Sequence, residues 1–366
     1  MAEINKVDLE QLLNCALCPN LCRCDCPVLQ VTGREAVAPA GKARLAAFAE
    51  QDHLSWSRQT LDAVSNCLGC RGCTVLCPFS ELNLCDELLF ARTGEKGANF
   101  KLPAWEPYLN NLKKFGSPYG QKEKTNRKQG AVQGKIIFFP GCTSLANNPR
   151  AVEAALYLFE KAGVEVQLME EDCCGYPAET WGDLELARQL ANENSRRIKE
   201  SGADLFITGC PECWETFSRR YPAWGYDLSA AIIDAPTYLL QMVQEGRLKP
   251  EEEVISKASY HDPCIWARTA EKTAQPRELL SYLPGFELEE PQHFGKETHC
   301  CGGGRMFQLS FPKTAEAIAI RRLAEFGQDL PIITSCPFCR EGLLQEDRQV
   351  YELVEMLAIS CGFKLS

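Results

Sequence analysis

Two short stretches, "EEDCCG" and "THCCGGGRM", set adjacent cysteines against glycine, at Cys173 and Cys174 and again at Cys300 and Cys301. Neighbouring residues of a regular strand point to opposite faces, so both thiols of such a pair reach one site only if the backbone turns sharply there. Glycine permits that turn and a close approach of metal. Each pair belongs to a longer spacing: Cys142 is followed after 30 residues by Cys173 and Cys174, then after 35 by Cys210 and Cys213. Cys264 is followed after 35 residues by Cys300 and Cys301, then after 34 by Cys336 and Cys339. The offset is 127 at the paired cysteines and 126 at the C-P-x-C, and "ADLFITGCPEC" matches "LPIITSCPFC", so this half of the chain is duplicated. In each copy an apolar strand runs into C-P-x-C and then a helical pattern. Proline suits the first position of a helix, whose free amides favour an anionic, thiolate-bound group.

The front of the chain holds a different thiol chemistry. "CLGCRGCTVLCP" places Cys67, Cys70, Cys73 and Cys77 before Pro78, the C-x2-C-x2-C-x3-C-P run that wraps a 4Fe-4S cubane. "CALCPNLCRCDCP" offers Cys15, Cys18, Cys22 and Cys26 before Pro27, one residue longer between the second and third, with Cys24 as a competing ligand. The fourth cysteine of such paired runs crosses to the other cluster, so the expected sets are Cys15, Cys18, Cys22 and Cys77, and Cys67, Cys70, Cys73 and Cys26. A pair of zinc sites is the competing reading of these two runs, against the two-cluster geometry, and a zinc-bound scaffold is disfavoured because the vicinal cysteines beside C-P-x-C in the duplicated half do not match the spacing of structural zinc. Of 21 cysteines, Cys85 and Cys361 read as small core hydrophobes and Cys24 stays undecided.

These sites need elements to hold them. At 366 residues and 45% hydrophobic content the chain supports more than one folded unit. Apolar residues at three- and four-residue steps in "GKARLAAFAE" and "QTLDAVSN" predict helices between the cubane runs, hence an α-helical ferredoxin-type domain with two 4Fe-4S clusters over 1–100. A polar stretch over 101–134 reads as a linker, ending where "IIFFPGC" begins a buried strand. Alternating strands and helices then predict two duplicated α/β lobes, over 135–250 and 251–366, with the cysteines at strand C-terminal ends; the fold class is α plus α/β. A formal charge of -10 argues against a nucleic-acid partner. No apolar run approaches the roughly 18 residues of a spanning helix, and the start has no secretion-signal core, so a cytoplasmic location is expected. Cysteine density in a reducing compartment points to metal, not disulfides. With no G-x-G-x-x-G opening a helix and no P-loop, no flavin or nucleotide of its own is expected.

Two of the four histidines flank second-copy cysteines: His261 in "YHDPC", and His299 before Cys300. Either could deliver a proton to a leaving thiolate as a catalytic acid, or only satisfy a local hydrogen bond. Gly302, Gly303 and Gly304 are candidates for cofactor approach or a substrate path, or merely let the loop turn, and Arg305 could attract an anionic substrate or partner.

Taken in order, "FFPGC", "EEDCCG", "GCPEC", "YHDPC", "CCGGG" and "SCPFC" resemble the cysteine-rich CCG family. That family includes the disulfide-splitting subunit of heterodisulfide reductase and the iron–sulfur subunits of glycolate oxidase, anaerobic glycerol-3-phosphate dehydrogenase and lactate utilisation systems. The first hundred residues resemble the two-cluster domain fused in front of it, as in the fused form of heterodisulfide reductase. The resemblance implies one or two CCG-bound, noncubane 4Fe-4S clusters on the ten repeated cysteines. It also implies an electron-transfer subunit passing electrons between a flavoprotein (a 2-hydroxy-acid dehydrogenase or an electron-transfer flavoprotein) and a quinone or other carrier, a partner holding it at the inner membrane face. The alternative is a heterodisulfide reductase-like subunit that itself reduces a disulfide.

Overall fold

The computed structural model describes residues 6–79, 81–120, 136–169, 172–344 and 348–364. Its front is helical. Asp8 caps Leu9–Leu17 by accepting from the Glu10 and Gln11 amides, and Pro39–Glu50 packs its small face of Ala43, Ala46 and Ala47 against that helix. Arg58–Ser65 and Leu84–Thr93 complete the group, and Leu12, Leu61 and Leu88 are wholly buried within it.

Behind it lie two four-stranded parallel sheets of one topology. The first runs β2-β1-β3-β4, with β1 Ile136–Phe139, β2 Gln167–Leu168, β3 Leu205–Thr208 and β4 Ala231–Asp234. The second runs β6-β5-β7-β8, with β5 Lys257–His261, β6 Glu287–Glu289, β7 Ile332–Thr334 and β8 Val350–Glu352. In register, Phe138 faces Ile207 and Ile207 faces Ile233, as Tyr260 faces Ile333 and Ile333 faces Tyr351. Strands covered on both faces need continuous apolar runs, and "IIFF" and "LFIT" supply them. Each sheet reverses its strand order between its first and third strands, the place where open α/β sheets bind ligands beyond the strand C-termini. Cys142 and Cys210 follow β1 and β3, and Cys264 and Cys336 follow β5 and β7. The two lobes share one apolar core, in which Phe138, Leu158 and Phe159 meet Tyr260, Ile333 and Leu357. Among the described residues no helix is long and apolar enough to cross a membrane.

The stretch expected as a linker is different in its first part. Residues Pro103–Trp105 and Glu106–Phe115 are helical, Trp105, Leu109 and Leu112 are buried, and Gly116 closes the helix in a left-handed conformation. Trp105 Nε1 donates to Ser310 Oγ at 2.6 Å, and the Cys173 amide donates to the Gly116 carbonyl at 2.7 Å, so this segment ties the front of the chain to both lobes. Residues 121–134 of that stretch lie outside the described residues.

Candidate metal centres

Four groups of thiols form, and each draws on distant parts of the chain. Cys15, Cys18, Cys22 and Cys77 line one cavity. Burial, with the neighbouring thiolates, pushes Cys15 up to about 11 and Cys22 up to about 12. Cys26, Cys67, Cys70 and Cys73 line a second cavity, which Cys85 and Lys42 also enter. Cys77 thus lines the cavity of Cys15, Cys18 and Cys22, which Cys73 also reaches, and Cys26 lines the cavity of Cys67, Cys70 and Cys73.

In the first lobe Cys142 and Cys173 Sγ lie 3.6 Å apart, Cys174 is hydrogen-bonded to Cys173 and Cys213, and Cys210 to Cys213. The Gly141 backbone, at φ 89°, passes so near that a Cβ there would meet Cys213 Sγ at 3.2 Å. In the second lobe Cys301 and Cys339 Sγ lie 3.3 Å apart, and Cys300 is hydrogen-bonded to Cys264 and Cys301. The sharp turn required after adjacent cysteines is present in both copies, at Gly175 with φ 93° and Gly302 with φ 89°. Although burial opposes it, hydrogen bonds from its neighbours lower Cys174 to about 6. Cys301 is likewise held well below the usual thiol range by Cys300 and Cys339, so the second cysteine of each pair is the favoured thiolate.

The groups adjoin. Cys300 shares a buried cluster with Cys26 and Leu68, against which Cys70 packs, so the second front group adjoins the second-lobe group. Glu212, the variable residue of the first C-P-x-C, accepts from Cys210 Sγ at 3.3 Å and from Cys336 Sγ at 3.7 Å, so one carboxyl spans both lobes. Burial pushes it up to about 7. The loop carrying Cys70 is anchored by Arg71, whose guanidinium meets Glu215 at 2.6 Å and donates to Thr269 Oγ1 at 2.7 Å, and by Arg268, which donates to the Cys70 carbonyl at 2.7 Å.

Buried cations test whether these cavities suit an anionic cluster. Lys42 is only 3% exposed, yet its ammonium donates to the Asn66 carbonyl at 2.8 Å and lies 4.0 Å from Cys26 Sγ, with no carboxylate in an ion pair with it among the described residues. Burial alone would lower its pKa, but Cys26, Cys67, Cys85 and Cys73 hold it above the ordinary value. Arg305 is buried beside the same group and donates to the Cys85 carbonyl at 3.0 Å. A buried charge is costly unless countered, and thiolates around a 4Fe-4S core supply the counter-charge. The residues fit the group.

Several expectations change here. Arg305 is not a surface attractor of anions; it and Met306 adopt left-handed backbones, at φ 56° and 51°, which aim it inward. The three glycines open no path: Cβ atoms would stand 2.6 Å from the carbonyls of Ala315, Phe338 and Leu68 at Gly302, Gly303 and Gly304 respectively. Gly302 and Gly303 let the second lobe close on itself, and Gly304 lets it lie against the cubane loop at Leu68. Cys85 is more than core filling, with its Sγ 4.0 Å from Cys73 Sγ. Cys361 is buried apart from the four groups, and Cys24 is exposed and donates to the Leu21 carbonyl at 3.1 Å. His299 lies between Asp25 (Nε2, 3.1 Å) and Glu325 (Nδ1, 2.5 Å), and those two bonds raise it to about 9 despite burial. His261 is buried, accepts at Nδ1 from Arg322 Nε at 3.2 Å and has an imidazole nitrogen within 4.8 Å of the Cys301 sulfur.

Comparison with known proteins agrees with the geometry. The cysteine-rich CCG domain matches residues 136–218 and 258–343, and the 4Fe-4S dicluster domain matches residues 11–80. The chain belongs to the CCG-domain iron–sulfur oxidoreductases, with a 4Fe-4S dicluster domain ahead of two CCG segments. It is 26% identical over 326 residues to one of the subunits of the dihydromethanophenazine:CoB–CoM heterodisulfide reductase from Methanosarcina mazei, covering 83% of this chain and 79% of that one. One of the subunits of the fumarate reductase (CoM/CoB) from Methanothermobacter marburgensis is 29% identical over 310 residues, 80% of this chain but 60% of the relative. An EtfAB:quinone oxidoreductase from Syntrophomonas wolfei is 29% identical over 246 residues, of which this chain spans 34% of the relative's length.

Proposed function

We propose that this chain is the electron-transfer subunit of a redox complex, passing electrons between a flavoprotein and a quinone or other carrier. Cys15, Cys18, Cys22 and Cys77 would hold one cubane; Cys26, Cys67, Cys70 and Cys73 would hold the other. Cys142, Cys173, Cys174, Cys210 and Cys213 would hold the first CCG cluster, and Cys264, Cys300, Cys301, Cys336 and Cys339 the second. Bound there, the clusters supply one-electron carriers. The observation that carries the reading is the packing of Cys26 and Cys70 with Cys300 in one buried cluster, which supports one conduit instead of two separate sites.

The outer end of that conduit is suited to a partner. Around the first group, whose four thiols are only partly buried, Leu17 is 81% exposed, Phe79 52%, and Leu21, Val75 and Leu76 also face outward. Clustered exposed apolar side chains mark interaction sites, and this cluster surrounds the group that a docked flavin would have to reach. Stopped-flow mixing of the anaerobic oxidised chain with a reduced electron-transfer flavoprotein or 2-hydroxy-acid dehydrogenase tests the proposal. Bleaching of the iron–sulfur absorbance, slowed by Leu76→Glu and Phe79→Glu, is the expected result; no electron uptake from either class would refute it.

A second reading, reduction of a disulfide by the chain itself, draws on Glu212. A carboxyl poised near neutrality between Cys210 and Cys336 is placed to protonate a thiolate product. Glu212→Gln would then cut disulfide turnover on the order of a hundredfold while leaving electron uptake unchanged. Equal disulfide turnover in both proteins would set that reading aside.

A further inference from the structure

The two CCG thiol groups share a topology but differ at one residue beside the favoured thiolate. His261, the last residue of β5, aligns with Phe139, the last residue of β1. Phe139 packs against Phe206 and Phe217, with ring centroids 5.8 and 5.0 Å away, and has no polar hydrogen to offer. His261 is enclosed at 1% exposure, and so is Arg322. The guanidinium of Arg322 is always a donor, so the Nδ1 that receives its Nε–H carries a lone pair and the ring proton must sit on Nε2. That leaves Nε2–H as the only ring donor toward Cys301, whose sulfur lies within 4.8 Å of an imidazole nitrogen. Arg322 is itself held at every nitrogen: Nη1 donates to the His293 carbonyl at 3.0 Å and to Glu325 at 2.5 Å, and Nη2 donates to Thr298 Oγ1 at 3.4 Å. The ring is held in place from behind by Phe326, whose centroid lies 6.2 Å from the imidazole and 4.4 Å from the Arg322 guanidinium carbon.

We propose that Arg322 and His261 act as a positioning pair, Arg322 fixing the imidazole tautomer so that His261 donates a hydrogen bond to Cys301, which sets the second CCG centre at a higher reduction potential than the first. The inference rests on the reading that both CCG thiol groups hold iron–sulfur clusters. A donor aimed at a ligand sulfur stabilises the electron-rich, reduced form more than the oxidised form, and hydrogen bonds to sulfur are among the determinants of cluster potential. Electrons entering through Cys70 and Cys300 would then come to rest first at the second lobe, the lobe in contact with the cubane loop.

The test is a redox titration of the full chain, prepared anaerobically and followed by electron paramagnetic resonance, with iron counted on every sample. His261→Phe, which installs the first-copy residue, is expected to lower the reduced-to-oxidised ratio of one CCG centre about tenfold at a fixed solution potential, about 59 mV for one electron. The other CCG centre should not move. His261→Gln, which keeps an N–H, should recover most of the shift, and Arg322→Leu should reproduce it with the imidazole still present. Should His261→Phe lose iron, the comparison of Arg322→Lys with Arg322→Leu decides, since both retain the ring. Nitrogen-15 labelling of histidine should show a weak coupling to one CCG centre that His261→Phe removes. Full iron with both potentials unmoved, or a coupling strong enough for direct ligation, overturns the inference alone. An unaltered chain without iron at its CCG thiols overturns the underlying reading as well.

Discussion

Lys42→Met removes the buried ammonium beside the second cubane thiols while keeping the length and apolar stem of the side chain. At the 4.0 Å that separates Nζ from Cys26 Sγ, a unit charge at an effective dielectric near 20 is worth about 4 kcal/mol. At 1.4 kcal/mol and 59 mV per tenfold change, that is an upper bound of about 180 mV for a one-electron couple. The electron is shared over the cluster and the added charge lies farther off on average, so a fall of roughly 100 mV is expected in the potential of that cubane alone. The assay is an anaerobic redox titration resolving the cubane signals. A potential within about 20 mV of the parent would refute the electrostatic role.

Cys77→Ser should cost the cluster that Cys15, Cys18 and Cys22 share, with the other cubane retained, read by iron content and the surviving cubane signal. Gly303→Val drives a side chain against the Phe338 carbonyl, 2.6 Å from the new Cβ, so it should destabilise the chain by at least about 1–3 kcal/mol and loosen the Cys300–Cys301 loop within the second lobe. Denaturant unfolding and susceptibility of Cys300 to alkylation would read this. His299 is raised from 6.5 to about 9 by Asp25 and Glu325, so its contribution to folding is fully present below about pH 6.5 and is lost as pH climbs through about 9. The stability difference between the parent and His299→Gln should therefore be largest near pH 6 and shrink above about pH 9 in paired melts; a difference that grows with pH would contradict the assignment.

What the sequence made legible was whatever repeats or sits at a fixed spacing. The placing of Cys26 and Cys77 in the cavities of the other run's thiols was legible in the two runs, and the duplicated lobes in the 127- and 126-residue offsets. The helix Glu106–Phe115 was legible too: Trp105, Tyr108, Leu109 and Leu112 keep the three- and four-residue step, but the Gly, Pro and Lys around them read as a linker. Groups whose meaning comes only from tertiary approach left no such signal. Arg305 and Cys85 are separated by 220 residues, and Arg322 and His261 by 61. Lys42 looked like an ordinary helical lysine, because nothing local says that its face of the helix turns toward thiols. The glycines after Cys301 were visible as glycines, yet whether they leave space or accept a neighbouring carbonyl depends on Phe338 and Leu68, which come from other elements.

The most direct measurement is metal and labile sulfide per chain on anaerobically purified protein, combined with Mössbauer spectra of the iron. Four filled thiol groups predict about sixteen iron atoms and as many sulfides, half of them in cubanes and half in a second, spectrally distinct environment. Zinc as the major metal, or iron confined to about eight atoms with the ten lobe cysteines open to alkylation, would contradict the assignment of the duplicated lobes as iron–sulfur centres.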